Sequence, residues 1–116
     1  MTDLSTARVG LIGGSGLYAI PGLQDVQELS VETPFGPTSD RLLLGRLAGM
    51  EVVFLARHGR HHHLLPREVP YRANIWAMRS MNVRWLIAVS AVGSLQEKLR
   101  PRDMVIPDQF IDRTQT

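Results

Sequence analysis

The sequence contains 116 residues, of which 44% are hydrophobic and 21% charged, and its formal net charge at pH 7 is +2. This length allows one domain with a modest core, and no apolar run approaches the roughly 18 residues that cross a bilayer. Because the chain has no cysteine, disulfides, thiolate metal sites and cysteine nucleophiles are excluded, and a reducing cytoplasm is the expected location.

Apolar runs and turn residues predict the secondary structure along the chain. Residues 1–7 are polar and are expected to form a disordered N-terminus. A hairpin turn is expected around Ala48–Gly49. Residues 71–82 form the predicted helix. The predicted strands cover residues 9–12, 26–32, 41–47, 51–56, 85–89 and 103–107.

The predicted helix is amphipathic, and its spacing places one set of residues on a common face: Ala73, Trp76, Ala77, Ser80 and Met81. Core packing is the expected role of Trp76 and Met78, with contact to a neighbouring subunit as the alternative. Strands that accompany a helix predict an α/β fold with a mixed β-sheet flanked by helices. Since such a sheet needs helices on both faces and only one is predicted, the chain is expected to be part of a larger domain.

A glycine-rich turn follows the first predicted strand, in the stretch GLIGGSGLYAIPG at residues 10–22. The turn lacks the lysine of a P-loop, so an ATP site of that kind is rejected. Gly14, Gly16 and Ala19 satisfy the dinucleotide pattern G-x-G-x-x-A, with Glu32 near the usual distance for a ribose-binding acid. However, Pro21–Gly22 would stop the helix that such a site requires.

The same turn is also suited to a free anion. Successive backbone N–H groups in a glycine turn form an anion-binding concavity, and Ser15 would add a hydroxyl donor. The plainer interpretation is a tight structural turn with Ser15 exposed. The turn alone therefore leaves both interpretations open.

Two further predicted strands end in residues that suit an anion. Arg57–His58 follow residues 51–56, and Ser90–Ala91 follow residues 85–89. Because ligands of α/β sheets gather at the carboxyl ends of strands, these groups are expected to lie near the glycine turn. A hydroxyl, a guanidinium, an imidazole and free backbone N–H groups together suit a dianion.

The basic residues and histidines bear on other partners. Lys98 is the only lysine among 13 basic residues, and the arginines form no continuous run, so nucleic acid is not expected as a partner. Since no long apolar run is present, a membrane is not expected as a partner either. All four histidines lie between His58 and His63. His61, His62 and His63 could bind Zn or Ni adventitiously, but no carboxylate cluster or cysteine completes a metal site.

Four segments in order resemble the N-terminal part of the 5′-methylthioadenosine phosphorylase and purine nucleoside phosphorylase family: GLIGGSGLY, ARHGRHH, YRANIWAM and AVSAVGSLQEKLRPRDMVIPDQFIDRT. The resemblance covers nearly all of residues 8–116, which would be the N-terminal part of a single phosphorylase domain. Pro70 departs from the family, which usually has Asn there, and His61 and His63 extend the histidine cluster without an assigned role.

The resemblance implies a homo-oligomeric enzyme, a trimer or a hexamer made of two trimers, with no metal or organic cofactor and with inorganic phosphate as co-substrate. It further implies that phosphate is bound by a specific set of residues, with Gly14 and Gly16 supplying backbone N–H groups: Ser15, Arg57, His58, Ser90 and Ala91.

The implied reaction is phosphorolysis of a purine nucleoside in salvage. The expected substrate is 5′-methylthioadenosine, which would give adenine and 5-methylthioribose 1-phosphate. The alternatives are a 6-oxopurine nucleoside such as inosine, guanosine or methylthioinosine, a non-catalytic truncated subunit, and a dinucleotide-binding module. The resemblance places the purine contacts in a C-terminal part outside this sequence, so no catalytic residue is assigned and the chain alone is not expected to catalyse.

Overall fold

The computed structural model describes residues 7–14, 16, 19–61 and 63–113. The expected disordered N-terminus lies, except for Ala7, outside the described residues. The described part contains five strands, β1 to β5 in chain order, and one helix, α1. Their bounds are β1 Arg8–Gly13, β2 Gln24–Leu29, β3 Leu42–Leu47, β4 Met50–Ala56, α1 Tyr71–Ser80 and β5 Val83–Ala88, with a short 3-10 helix at Pro66–Glu68 before α1.

The five strands form one mixed sheet in the order β2-β3-β4-β1-β5. Strand β1 is parallel to both β4 and β5, whereas β2 and β3 pair antiparallel with each other and β3 with β4. The chain passes from β4 through α1 to β5, which lies on the far side of β1. This arrangement confirms the predicted α/β fold with a mixed sheet.

The hairpin predicted around Ala48–Gly49 is confirmed. Leu47 pairs with Met50 across a two-residue turn. Ala48 and Gly49 have φ angles of 51° and 80°. Positive φ at both central residues gives the turn a backbone twist that matches the twist of the two strands it joins. Gly49 adopts it without strain, whereas Ala48 carries a Cβ into the left-handed region.

Both faces of the sheet carry apolar side chains because the central strands alternate. Val53 and Leu55 of β4 pack on the α1 side, and Val52 and Phe54 pack on the opposite side. Because Gly10 has no side chain, side chains of α1 and of the adjacent strand β5 can pack closely over β1. A Cβ at Gly10 would lie 2.9 Å from side-chain carbons of Leu86 and Val83, and 3.0 Å from the Met78 sulfur.

The predicted helix face is partly wrong. The buried residues of α1 are Ala73, Asn74, Ala77 and Met78, while Trp76 and Ser80 are exposed. Both sets have helical spacing, so periodicity alone did not choose between them. Asn74 lies on the buried face, where its amide oxygen accepts a hydrogen bond from the backbone of Ser39 and is thereby satisfied.

The predicted last strand at residues 103–107 is also wrong, since this segment is irregular. Met104 and Ile106 are almost fully exposed, at 94% and 95%. An apolar run becomes a strand only where a neighbouring strand can hydrogen-bond to it, and no described strand lies beside this run. Among the described residues, no helix combines the length and apolar character needed to cross a membrane.

Candidate functional site

The carboxyl ends of the three parallel strands meet at one edge of the sheet. The first backbone N–H after β4, from Arg57, donates to the carbonyl oxygen of Gly13 over 2.9 Å. The first N–H after β5, from Val89, donates to the carbonyl oxygen of Ile12 over 2.8 Å. The segments beginning at Gly14, Arg57 and Ser90 therefore leave the sheet side by side, with β1 in the middle.

The side chain of Arg57 links two of these strand ends. Its Nη1 donates to the carbonyl oxygen of Val89 over 3.2 Å, which carries the guanidinium from the end of β4 toward the end of β5. Its Nε donates to Nε2 of His58 over 3.3 Å. Among the described residues, these bonds use only part of the five N–H donors of a guanidinium. The remaining N–H groups of the guanidinium can donate hydrogen bonds to an anion at the end of β1.

The hydrogen bonds of His58 define its tautomer. Nδ1 lies 2.9 Å from the carbonyl oxygen of Leu64, which can only accept, so Nδ1 carries the proton. Nε2 is then the acceptor of the bond from Arg57. In this arrangement the imidazole orients the guanidinium. The resemblance implies that His58 binds phosphate, and a direct hydrogen bond from Nε2 to phosphate would require a proton on that nitrogen and release of Arg57 Nε.

The loop that carries Arg57 and His58 is compact. Gly59 has a φ of 80° and donates its N–H to the carbonyl oxygen of Ala56 over 3.2 Å. The N–H of Leu64 donates to the carbonyl oxygen of His58 over 3.1 Å, so backbone and ring of this histidine are both tied to Leu64. These bonds fix the direction in which the two side chains leave the loop.

Four of the remaining predicted site residues are exposed: Gly14, Gly16, Ser90 and Ala91. Ser90 and Ala91 are exposed just after β5. Gly14 and Gly16 have no atoms of other segments within 4 Å of where a Cβ would stand. Ser15 lies outside the described residues, so its hydroxyl remains a prediction. The structure thus brings Gly14, Arg57 and the start of Ser90–Ala91 to one edge of the sheet.

The other histidines lie beside a cluster of charged groups. His61 and His63 line a shallow cleft of about 250 Å³ with acidic and basic residues. In this cleft Arg60 pairs with Glu28 over 2.6 Å and with Asp40 over 3.8 Å. Within the part of the chain that the structure describes, no three His, Asp or Glu side chains converge as metal ligands. His62 is not among the described residues.

Sequence reasoning missed the polar groups that support this edge. Ser39 and Asn74 are both buried, and Ser39 donates to the carbonyl oxygen of Ala56, the residue before Arg57. The only local signal was an Asn within an otherwise apolar helix stripe. Its partner is 35 residues away along the chain, so no short motif contains both.

The model of the phosphorylase superfamily matches residues 8–116. The chain belongs to the phosphorylase superfamily. Between β1 and β2 of this phosphorylase chain, the described residues include no α-helix. Pro21 and Gly22 form a turn, with a φ of 87° at Gly22, so a helix opened at the glycine turn could not continue past it, which weighs against the dinucleotide alternative.

Curated phosphorylases are highly similar over nearly the whole chain. S-methyl-5′-thioadenosine phosphorylase of Prochlorococcus marinus is 66% identical over 111 residues, which are 96% of this chain and 35% of the relative. The enzyme of the same name from Thermosynechococcus vestitus is 60% identical, covering 94% of this chain and 38% of the relative. The chain therefore spans little more than a third of the length of these relatives.

Solved phosphorylase structures share the fold. A methylthioadenosine phosphorylase from an antarctic soil metagenomic library superposes with a TM-score of 0.84 at 55% identity, covering 90% of this chain and 36% of that one. The apo methylthioadenosine phosphorylase of Schistosoma mansoni gives a TM-score of 0.74 at 43% identity, covering 82% and 34%. These likenesses confirm the nucleoside-phosphorylase-like fold, and this chain matches about a third of the length of each structure.

Proposed function

We propose that this chain is the phosphate-binding N-terminal part of a 5′-methylthioadenosine phosphorylase. The complete enzyme would convert methylthioadenosine and inorganic phosphate into adenine and 5-methylthioribose 1-phosphate. The observation that carries the proposal is the position of Arg57, whose guanidinium crosses from the end of β4 toward Val89 at the end of β5. Relatives at 60–66% identity bear the corresponding name.

The proposed chemistry is displacement at C1′ of the ribose. The bond from C1′ to the purine nitrogen breaks, its electron pair leaves with the base, and the base takes up a proton. A phosphate oxygen forms the new bond to C1′ on the opposite face. As the bond breaks the sugar acquires positive charge, which a phosphate dianion held close by stabilises. The protein must therefore hold that dianion in line with C1′.

The described residues are suited to hold the phosphate. Arg57 offers a charge-assisted fork, and a planar guanidinium can bind two phosphate oxygens together. Gly14 and Gly16 leave room for an oxyanion to approach the backbone. Donors fixed in advance need no reorganisation as the reaction proceeds, and positioning contributes on the order of several kcal/mol to lowering the barrier.

Base recognition and proton transfer belong, in this proposal, to polypeptide beyond this chain. Strand β5 supports that division, because it has the composition of a central strand but pairs only with β1 within the described sheet. Trp85, Leu86 and Ile87 follow one another and are 54%, 40% and 50% exposed. We propose that the stretch matching the remaining length of the relatives covers this apolar strand.

A chimera tests the proposed function. This chain would replace the corresponding N-terminal third of the Prochlorococcus marinus enzyme, and the release of base would be measured with and without phosphate. Methylthioadenosine, adenosine and inosine would be compared as substrates. We expect phosphate-dependent cleavage that is fastest with methylthioadenosine. A folded chimera without phosphate-dependent cleavage contradicts the proposal, whereas its preference among the three nucleosides reports on the purine contacts of the C-terminal part.

Oligomerisation, location and cofactor use also remain proposals. An exposed apolar set on the outer side of α1 supports a homo-oligomer, with a trimer as the expected form: Tyr71, Ile75 and Trp76. The absence of cysteine supports a cytoplasmic location.

Inorganic phosphate would act as co-substrate without a metal. Light scattering and elemental analysis of the chimera test the oligomer and the metal, respectively.

A further inference from the structure

Two buried polar residues lie behind the proposed phosphate site. Ser39 is 5% exposed and Asn74 is 2% exposed. Ser39 precedes β3, and Asn74 lies on the inner face of α1. A buried polar group is costly unless it is hydrogen-bonded. The hydrogen bonds of Ser39 and Asn74 therefore indicate the structural role of each residue.

Ser39 fixes the peptide that leads into Arg57. Its hydroxyl donates to the carbonyl oxygen of Ala56 over 2.6 Å. The N–H on the other side of that peptide bond, from Arg57, donates to Gly13 over 2.9 Å. Because a peptide bond is planar, bonds at its oxygen and at its nitrogen set the orientation of the whole unit. The start of the Arg57 side chain is thereby fixed.

Asn74 holds Ser39 in place. Its Oδ1 accepts the N–H of Ser39 over 2.9 Å. Asn74 is part of a regular helix packed on the sheet, so this bond ties the segment before β3 to a rigid element. The hydroxyl of Ser39 is therefore presented to Ala56 from a fixed backbone.

Asp40 holds the other end of the loop. One carboxylate oxygen accepts the N–H of Arg41 over 2.7 Å, and the other accepts the N–H of Arg60. The side chain is 18% exposed and lies 3.8 Å from Nε of Arg60. Ser39 and Asp40 thus hold the residues immediately before and shortly after Arg57 and His58, at Ala56 and Arg60.

We infer that Ser39, Asp40 and Asn74 form a positioning clamp that holds the loop of residues 57–60 in its anion-binding shape. The clamp acts through the backbone at Ala56 and Arg60, and its members need not touch phosphate. Its importance for phosphate binding rests on the proposed function. Its effect on the loop itself can be measured independently.

The first test measures the loop in the 116-residue chain. Amide hydrogen exchange at residues 57–60 would be compared in the wild type, Ser39→Ala and Asp40→Asn. Ser80→Ala is a matched control, because its hydroxyl also donates to a backbone carbonyl, that of Ala77 over 2.7 Å, but at the far end of α1. We expect exchange to quicken about tenfold in the clamp variants, as for the loss of one hydrogen bond, and not in the control.

The second test measures phosphate and nucleoside kinetics in the chimera. Ser39→Ala should raise the KM for phosphate about tenfold and leave the KM for the nucleoside within about twofold. Ser39→Thr, which keeps the hydroxyl, should restore the phosphate KM. A variant that merely folds poorly would instead lose active enzyme with both KM values unchanged.

Specific outcomes overturn the clamp. Unchanged exchange at residues 57–60 in folded Ser39→Ala and Asp40→Asn, or an equal effect of Ser80→Ala, rejects it. If Arg57→Ala leaves the phosphate KM unchanged, the proposed phosphate site fails instead, and the exchange data alone decide whether the clamp holds the loop.

Discussion

The guanidinium of Arg57 donates through Nη1 to the carbonyl oxygen of Val89, 3.2 Å away and 32 residues later in the chain. Strand β1 lies between β4 and β5, the strands that these two residues directly follow. The bond therefore spans the end of the central parallel strand, where Gly13 gives way to the glycine turn. The guanidinium cation of Arg57, held at this point, can bind an anion placed between the three strand ends.

Arg57→Ala should raise the KM for phosphate by roughly 10- to 100-fold in the chimera, because a charge-assisted hydrogen bond contributes about 1.5–3 kcal/mol. Arg57→Lys should recover only part of the loss, since an ammonium group keeps the charge but not the planar fork. Initial rates across a range of phosphate concentrations check both. Arg79→Ala, an exposed arginine on α1, serves as the control, and an equal rise in that variant would remove Arg57 from the site.

Gly59→Ala should destabilise the protein more than Gly49→Ala. Both glycines have a φ of 80°, so the backbone strain of an added Cβ is matched at about 1–2 kcal/mol. A Cβ at Gly59 would also collide with the ring of His63, whereas nothing lies within 4 Å of one at Gly49. Urea unfolding measures the difference. Equal losses of unfolding free energy would show that the His63 ring moves aside without cost.

Ala48→Asn should stabilise the β3–β4 hairpin by about 0.5–1 kcal/mol, because Asn tolerates the left-handed region better than Ala. Ala48 has a φ of 51° and precedes Gly49 in the turn. Ala48→Val, with its branched Cβ, should destabilise the same turn. Thermal and urea unfolding of the two variants check the signs. A loss of stability in Ala48→Asn would contradict the assigned turn geometry.

Stability should fall in acid as Glu51 becomes protonated. The hydrogen bond from Arg8, at 2.8 Å, together with the charges of Arg8 and Arg46, lowers the pKa of Glu51 below its ordinary value of 4.5. A carboxylate with a lowered folded-state pKa stabilises the protein above its unfolded pKa, and that contribution is lost as pH falls through the folded value. The effect is small because the carboxylate is 43% exposed and water screens the pair.

Urea unfolding between about pH 3 and pH 6 measures this loss. Glu51→Gln should flatten the decline below the ordinary pKa, whereas Glu97→Gln, at an exposed loop position, should leave it unchanged. An identical pH profile in wild type and Glu51→Gln would show that the ion pair with Arg8 does not contribute to stability.

Much of the sheet could be predicted because its signals are local. Val52 to Leu55 form an apolar run followed by Arg57, and Ala48–Gly49 mark a turn within a few residues. The apolar strand at 103–107 was predicted on the same evidence and was wrong, since a strand also needs a partner that local sequence does not supply. The buried face of the helix was only partly predicted, since the bond that satisfies the buried Asn74 comes from a backbone group 35 residues away.

The sequence by itself determined which strands end in the residues proposed to bind an anion, because each strand and the turn after it are encoded within about ten residues. Only the tertiary structure decided that these ends lie together around β1, and that Ser39, Asp40 and Asn74 hold the loop. Those relationships depend on strand order and on hydrogen bonds between residues 17 to 35 positions apart. Contacts over such separations form only when the whole chain packs, so no short pattern encodes them.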